Sequence, residues 1–366
     1  MTRISDRLSV AGLRFDFNRN GGNISNLEIS TSSERVLHPL HKAFWVDGPD
    51  QLPSQVSLVE RQLEGDFFCA PFGANPDSPI HGWTANGLWN PVELRTSGNS
   101  NSTSRSYELD QLVQGAKVTK TLTLKEGHPF LYQNHQFTGG DGHIPIAHHA
   151  MIRVPGGARL SFSQKSFGVT PQVPLETDPS RGGSLLSYPQ RFDSITHVAT
   201  GRGESVDISH YPFAREHEDI AVLLESSNSR LAWSAALASR DGFLFFAIKD
   251  PDILPQTLLW MSNGGRHYSP WDSKHDCVLG IEEAATSCHR SGGFASAPDK
   301  GSDGLACGLN LLQQGSTDIR YGFGAIPAPQ GWSQISDIRM SADNIVIEDV
   351  SGATETLPFH GAHFGL

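Results

Sequence analysis

Lys117-Val118-Thr119-Lys120-Thr121-Leu122-Thr123-Leu124 places Val118, Leu122 and Leu124 on one face and the threonines on the other. A period of two with β-branched enrichment is the pattern of a half-buried strand. The same character recurs from end to end. Arg159-Leu160-Ser161-Phe162-Ser163 alternates again, and Gly242-Phe243-Leu244-Phe245-Phe246-Ala247-Ile248 is a continuous apolar run of strand length. Such a run suits a sheet covered on both faces. Ile345-Val346-Ile347-Glu348 runs into a turn at Asp349-Val350-Ser351-Gly352, and a strand pattern resumes over Thr354 to Phe359.

Helical signals are poor. The best candidate, Ile220 to Glu225, is short and bounded by acidic and serine-rich segments. Ser97 to Ser106 is rich in Ser, Asn and Thr and reads as an exposed hairpin loop; Gln172 to Ser187 reads as a second loop. The 37 glycines and 22 prolines are spread along all 366 residues, which favours many short strands joined by tight turns. No repeat of fixed period appears, and no linker interrupts the strand pattern. The expectation is an all-β chain, residues 1–366 forming a single domain built as a large antiparallel β-sandwich.

Composition narrows the partners. The net charge is −11, with no basic stripe to override the average field, so a nucleic acid or an anionic membrane is not expected as a partner. Neutral small molecules remain open. Cys69, Cys277, Cys288 and Cys307 form no Cys-x-x-Cys pair, so neither a disulfide framework nor a structural zinc site is expected. Met1 to Phe17 lacks the continuous apolar stretch of a signal peptide, and no run approaches the ~18 apolar residues of a membrane helix. A cytoplasmic location is the expectation. Gly-x-Ser-x-Gly, Gly-x-x-x-x-Gly-Lys, His-Glu-x-x-His and Gly-x-Gly-x-x-Gly signatures are absent.

Four groups of residues can carry chemistry. His81 sits in Pro79-Ile80-His81-Gly82-Trp83, where the glycine lets a ligand approach the imidazole and Trp83 offers a face to a ring. His148-His149 lies within a strand-like segment, Ile144 to Ile152, so only one of the pair can face a given cleft. Glu282-Glu283 ends the apolar segment Cys277-Val278-Leu279-Gly280-Ile281, and the same alternation applies to it. Between them, Trp260 to Trp271 carries Asn263, Arg266 and His267, groups suited to bonding and stacking on a polyhydroxylated ring.

The order of these pieces resembles the aldose 1-epimerase, or galactose mutarotase-like, superfamily. Pro71-Phe72-Gly73, then His81-Gly82, then His149-Ala150-Met151-Ile152, then Gly280-Ile281-Glu282-Glu283 follow the family's sequence of short motifs, over roughly Gly65 to Phe323. The resemblance implies a galactose mutarotase-like supersandwich that binds a small carbohydrate and exchanges its α and β anomers, with no metal and no cofactor. It implies Glu282 as base, His149 as acid and His81 as donor to the ring oxygen or a neighbouring hydroxyl, with Asp219 holding a sugar hydroxyl. The family's Asn-Arg after Pro-Phe-Gly is replaced by Ala74-Asn75-Pro76, and Arg266, after Gly264-Gly265, is the nearest substitute for that arginine. Two other readings stay open: a non-catalytic carbohydrate-binding module on the same fold, and a sugar-phosphate mutarotase needing Arg153, Arg215 and Arg266 to converge.

Overall fold

The computed structural model describes residues 3–30, 35–49, 51–92, 101–226, 230–288 and 306–366. The alternating stretch becomes the strand Ala116–Lys125, with Ala116, Val118, Leu122 and Leu124 buried. Lys120 lies in the same inward row. Its ammonium donates to the Gly22 carbonyl at 2.9 Å and lies 5.2 Å from the centre of the Phe17 ring. Burial pulls its pKa down to about 8. Alternation is thus a rule about direction, and a lysine can occupy an inward position when a carbonyl and an aromatic face receive it.

Two large sheets face each other across the main core. One has nine strands, with Phe243–Lys249, Leu309–Pro327, Phe130–Ile144 and Ala116–Lys125 side by side in that order. The other has seven, in which His217–Glu225, Gln256–Asn263, Val278–Ala285 and Ile146–Arg153 are consecutive neighbours. All the ladders of this second sheet are antiparallel. The core between the sheets joins Leu279, Ile281 and Ile152 of the seven-stranded sheet to Phe245, Phe323 and Leu122 of the nine-stranded one.

Each sheet is also covered on its outer face. Leu244, Phe246 and Ile248 pack against Ile338, Ile347 and Phe359 of the C-terminal region, where Ile335–Met340, Asn344–Asp349 and Thr354–Pro358 form a three-stranded sheet. This accounts for the unbroken apolar run at 243–248: neither face of that strand meets water. On the seven-stranded sheet, Ile220, Leu258 and Trp260 pack against Trp45, Val59, Leu63 and Phe72 from the N-terminal loops.

Two sequence readings change. Ile220 to Glu225 is no helix but the end of the strand His217–Glu225, buried along its whole length. Its even residues Ile220, Val222 and Leu224 face the N-terminal loops while Ala221 and Leu223 face the main core. A strand covered on both sides is apolar at every position, so its period of two is erased. In the expected hairpin loop, Ser102 to Ser106 belongs to the strand Ser102–Leu109, and 97–100 lie outside the described residues. The 172–187 segment is a loop, as read.

Candidate active site

The strands Ile146–Arg153 and Val278–Ala285 are neighbours in register, with His149 opposite Glu282 and His148 opposite Glu283. Alternation then divides the four groups. His149 Nε2 lies 3.2 Å from Glu282 Oε1 on the face under the N-terminal loops. His148 points into the main core, its ring stacked 4.0 Å from that of Tyr321. Glu283 also points inward, where it pairs with Lys249 and accepts from Thr257 Oγ1 at 2.7 Å. Gly280 precedes Glu282 by two residues on the same face, and a Cβ there would lie 2.9 Å from Glu282 Oε1. The absence of that carbon leaves room for the carboxylate.

His81 reaches the pair from a turn. It has φ 63° and Gly82 φ 73°, both in the left-handed region. A Cβ on Gly82 would come 2.0 Å from the Ala70 carbonyl oxygen, so only glycine fits the close approach of the two segments. Gly73 N–H donates to His81 Nδ1 at 3.3 Å. A neutral ring that accepts at Nδ1 carries its proton on Nε2, so the Pro71-Phe72-Gly73 turn sets the tautomer. The His81 and His149 rings meet edge to face at 5.4 Å, and Phe67 stacks on His149 at 4.5 Å.

Burial governs the protonation of all three groups. It pushes the Glu282 carboxyl well above its ordinary range and His149 well below. It pulls His81 down to about 4, so this ring is neutral at pH 7. The Glu282 and His149 shifts have the same cause, burial, which disfavours charge on either group.

Arg266 enters from the loop after Gln256–Asn263. Gly265 allows this, since a Cβ on it would lie 2.1 Å from the His217 carbonyl carbon. The guanidinium lies 4.2 Å from the centre of the Trp271 ring and 3.2 Å from Glu218 Oε1. Glu218 is buried and is the end of a directed chain of donors. Ser262 Oγ donates to Glu218 Oε2 at 2.8 Å, so His275 Nδ1 donates to Ser262 Oγ at 2.7 Å. His275 Nε2 then accepts from His41 Nε2 at 3.0 Å. Trp260 Nε1 adds a further donor to Glu218.

These residues enclose a cavity of about 270 Å³ whose lining includes His81, His149, Glu282, Arg266, Trp260, Trp271 and Glu60. Its size falls just below the ~300–1,000 Å³ of drug-sized pockets and suits a single small ring. Four other residues proposed from the sequence lie elsewhere. Asp219 occupies the opposite face of its strand, where it accepts from Leu185 N, Leu186 N, Tyr188 Oη and His217 Nδ1 at 2.8–3.1 Å. Its place beside Arg266 is taken by Glu218, on the other face of the same strand. Asn263 is spent on backbone, donating to the Ala214 carbonyl and accepting from Cys277 N at 2.9 Å. Trp83 lines a separate pocket with Pro71 and Asn75, and His267 is exposed. Arg153 pairs with Asp276 at 2.8 Å on the surface, and Arg215 borders a different cavity, so the three arginines do not converge.

Solved structures share this architecture. A candidate aldose 1-epimerase from Escherichia coli K12 superposes with a TM-score of 0.55 at 14% identity, over 89% of this chain and 100% of that one. A galactose mutarotase related enzyme from Lactobacillus acidophilus gives 0.53 at 11% identity, over 89% and 99%. An aldose epimerase homologue from C. elegans gives 0.54 at 12% identity, over 90% and 100%. No family profile and no curated protein matches the sequence. The likeness is one of fold: this is a galactose mutarotase-like β-sandwich shared with aldose epimerases and mutarotase-related enzymes at low identity.

Proposed function

We propose that the chain is an aldose 1-epimerase-like enzyme that interconverts the α and β anomers of a small sugar. The observation that carries this reading is the 3.2 Å contact of His149 Nε2 with Glu282 Oε1 in a small cavity, beside a neutral His81. Anomer exchange needs a base for the C1 hydroxyl proton and an acid for the ring oxygen. The ring opens, the C1 aldehyde rotates about the C1–C2 bond, and closure returns both protons.

A pair that holds one proton between a carboxyl and an imidazole supplies both functions at once. Burial opposes charge on both groups, so the cycle starts once the proton has passed from Glu282 to His149, leaving Glu282 as base and His149 as acid. Their roles reverse on ring closure. His81 Nε2–H donates to the ring oxygen or a neighbouring hydroxyl, stabilising charge as it develops there. Each proton-transfer group is expected to contribute ~10²–10⁴-fold.

Polarimetry on freshly dissolved aldoses tests the proposal. The wild type should speed mutarotation well beyond buffer, and Glu282→Gln should remove ~10²-fold or more of that rate while sugar binding survives. Near-normal catalysis by Glu282→Gln sinks the base role. Binding with no acceleration by the wild type would make the chain a carbohydrate-binding module instead.

A further inference from the structure

We infer that the preferred substrate is a neutral deoxy sugar whose missing hydroxyl neighbours the C1–O5 unit, at C2 or C6. The inference rests on the proposed anomer exchange at the His149–Glu282 pair.

The cavity offers few groups to a polyhydroxylated ring. His81, His149 and Glu282 are committed to C1, its hydroxyl and the ring oxygen. The remaining polar side chains in the lining are Glu60, which accepts from Ser57 Oγ at 2.6 Å, Arg266, paired with Glu218 at 3.2 Å, Trp260, whose indole N–H is given to Glu218, and Trp271. The rest of the wall includes Ile80, Leu63, Ile220, Leu258 and Leu175. Leu258 stands directly opposite Glu282 in the ladder, on the same face, and Ile220 lies one strand further across the sheet. The apolar wall therefore begins beside the catalytic carboxylate.

The ring atoms that flank the C1–O5 unit are C2 and C5, and C5 carries C6. Their substituents are the ones nearest the groups that hold C1 and O5, so they meet this wall first. A hydroxyl pressed against Leu258 and Ile220 loses its water and finds no partner, which lowers affinity by about ten- to a hundredfold. A hydrogen or methyl in its place gains from the same surface.

Charge excludes a second class. Among the described residues Arg266 is the one cation of this lining, and its charge is matched by buried Glu218. Glu60 adds a carboxyl to the same wall. A phosphate or uronate meets no free cation among the described residues of this lining.

Two matched series decide the matter: glucose with its 2-deoxy, 6-deoxy and 6-phosphate forms, and galactose with the same three. Anomer exchange by the full chain is followed by polarimetry, and affinity by calorimetric titration. In at least one series a deoxy member should exceed its parent by about tenfold in kcat/KM, and both phosphates should fall below their parents. Ile80→Asn and Leu175→Asn, at the partly exposed rim, should narrow the preference for the deoxy member.

Parents equal to or better than every deoxy member, or a phosphate better than its parent, would overturn the inference while leaving the epimerase reading intact. If no sugar is accelerated, the epimerase reading falls and with it the substrate claim, and the titration decides what is left: tighter binding of a deoxy member upholds the deoxy preference as that of a ligand site. Binding that favours the parents, or no binding at all, removes it.

Discussion

Gly280 and Glu282 share a face of the strand Val278–Ala285, and a Cβ on residue 280 would stand 2.9 Å from Glu282 Oε1 and 3.1 Å from Trp260 Cβ. The glycine keeps an ordinary extended backbone, so its value to the site is empty space rather than conformational freedom.

Gly280→Ala is accordingly expected to fold, with a stability change within about 1 kcal/mol. The Glu282 carboxylate, at the end of a flexible side chain, is what must yield. Displacement of a reacting group by about 1 Å costs up to ~10²-fold, so turnover should fall tenfold or more. Thermal melting run beside polarimetry checks this. Full activity in a well-folded Gly280→Ala protein would mean that the carboxylate has slack the packing denies.

Adjacent carboxylates should separate cleanly by phenotype. Glu283 is buried with Lys249, whose ammonium also lies 2.8 Å from Glu225 Oε1. Glu283→Gln breaks a buried charge pair and should cost about 3–5 kcal/mol of stability, leaving the turnover of the folded protein nearly unchanged. Glu282→Gln should do the reverse. Urea unfolding and steady-state kinetics on the two variants provide the comparison, and similar profiles would refute the division of faces.

Glu218→Gln keeps the shape of the side chain and removes the counter-charge from Arg266. The freed guanidinium should then offer a charge-assisted bond to an anion, worth roughly 1.5–3 kcal/mol. Inhibition by glucose 6-phosphate should tighten by about one to two decades relative to the wild type. An unchanged inhibition constant would show that Glu218 does not restrain Arg266.

Burial pulls His41 from its ordinary 6.5 down to about 3. Between those values the unfolded chain binds a proton that the folded chain refuses. This contribution is therefore fully present above about pH 6.5 and is lost as the pH falls toward 3, at roughly 1.4 kcal/mol per pH unit. His41→Gln removes the titration yet leaves a side-chain N–H to donate to His275. The stability curve of the variant should be shallower than that of the wild type by about that slope between pH 6 and 4, read from urea midpoints. Parallel curves would disprove it.

The strand character of 116–125, the separation of His149 from His148 and the split between Glu282 and Glu283 all follow from a period of two. That period belongs to the extended backbone itself, so a local stretch of sequence suffices to reveal it. The order of Pro71-Phe72-Gly73, His81-Gly82 and the His149 and Glu282 strands was legible for the same reason: each motif is short and its geometry is local.

What tertiary structure decided is which face closes on what. His217–Glu225 hides its period because both of its faces are covered, and with the period went the choice of Glu218 over Asp219. Lys120 sits inward because Gly22, 98 residues away, presents a carbonyl to it. Asn263 and Trp83 carry groups fit for a sugar, yet a backbone carbonyl and a different pocket claim them. A side chain's partners come from segments far along the chain, and their arrival is set by how two covered sheets and their loops pack, which no local pattern encodes.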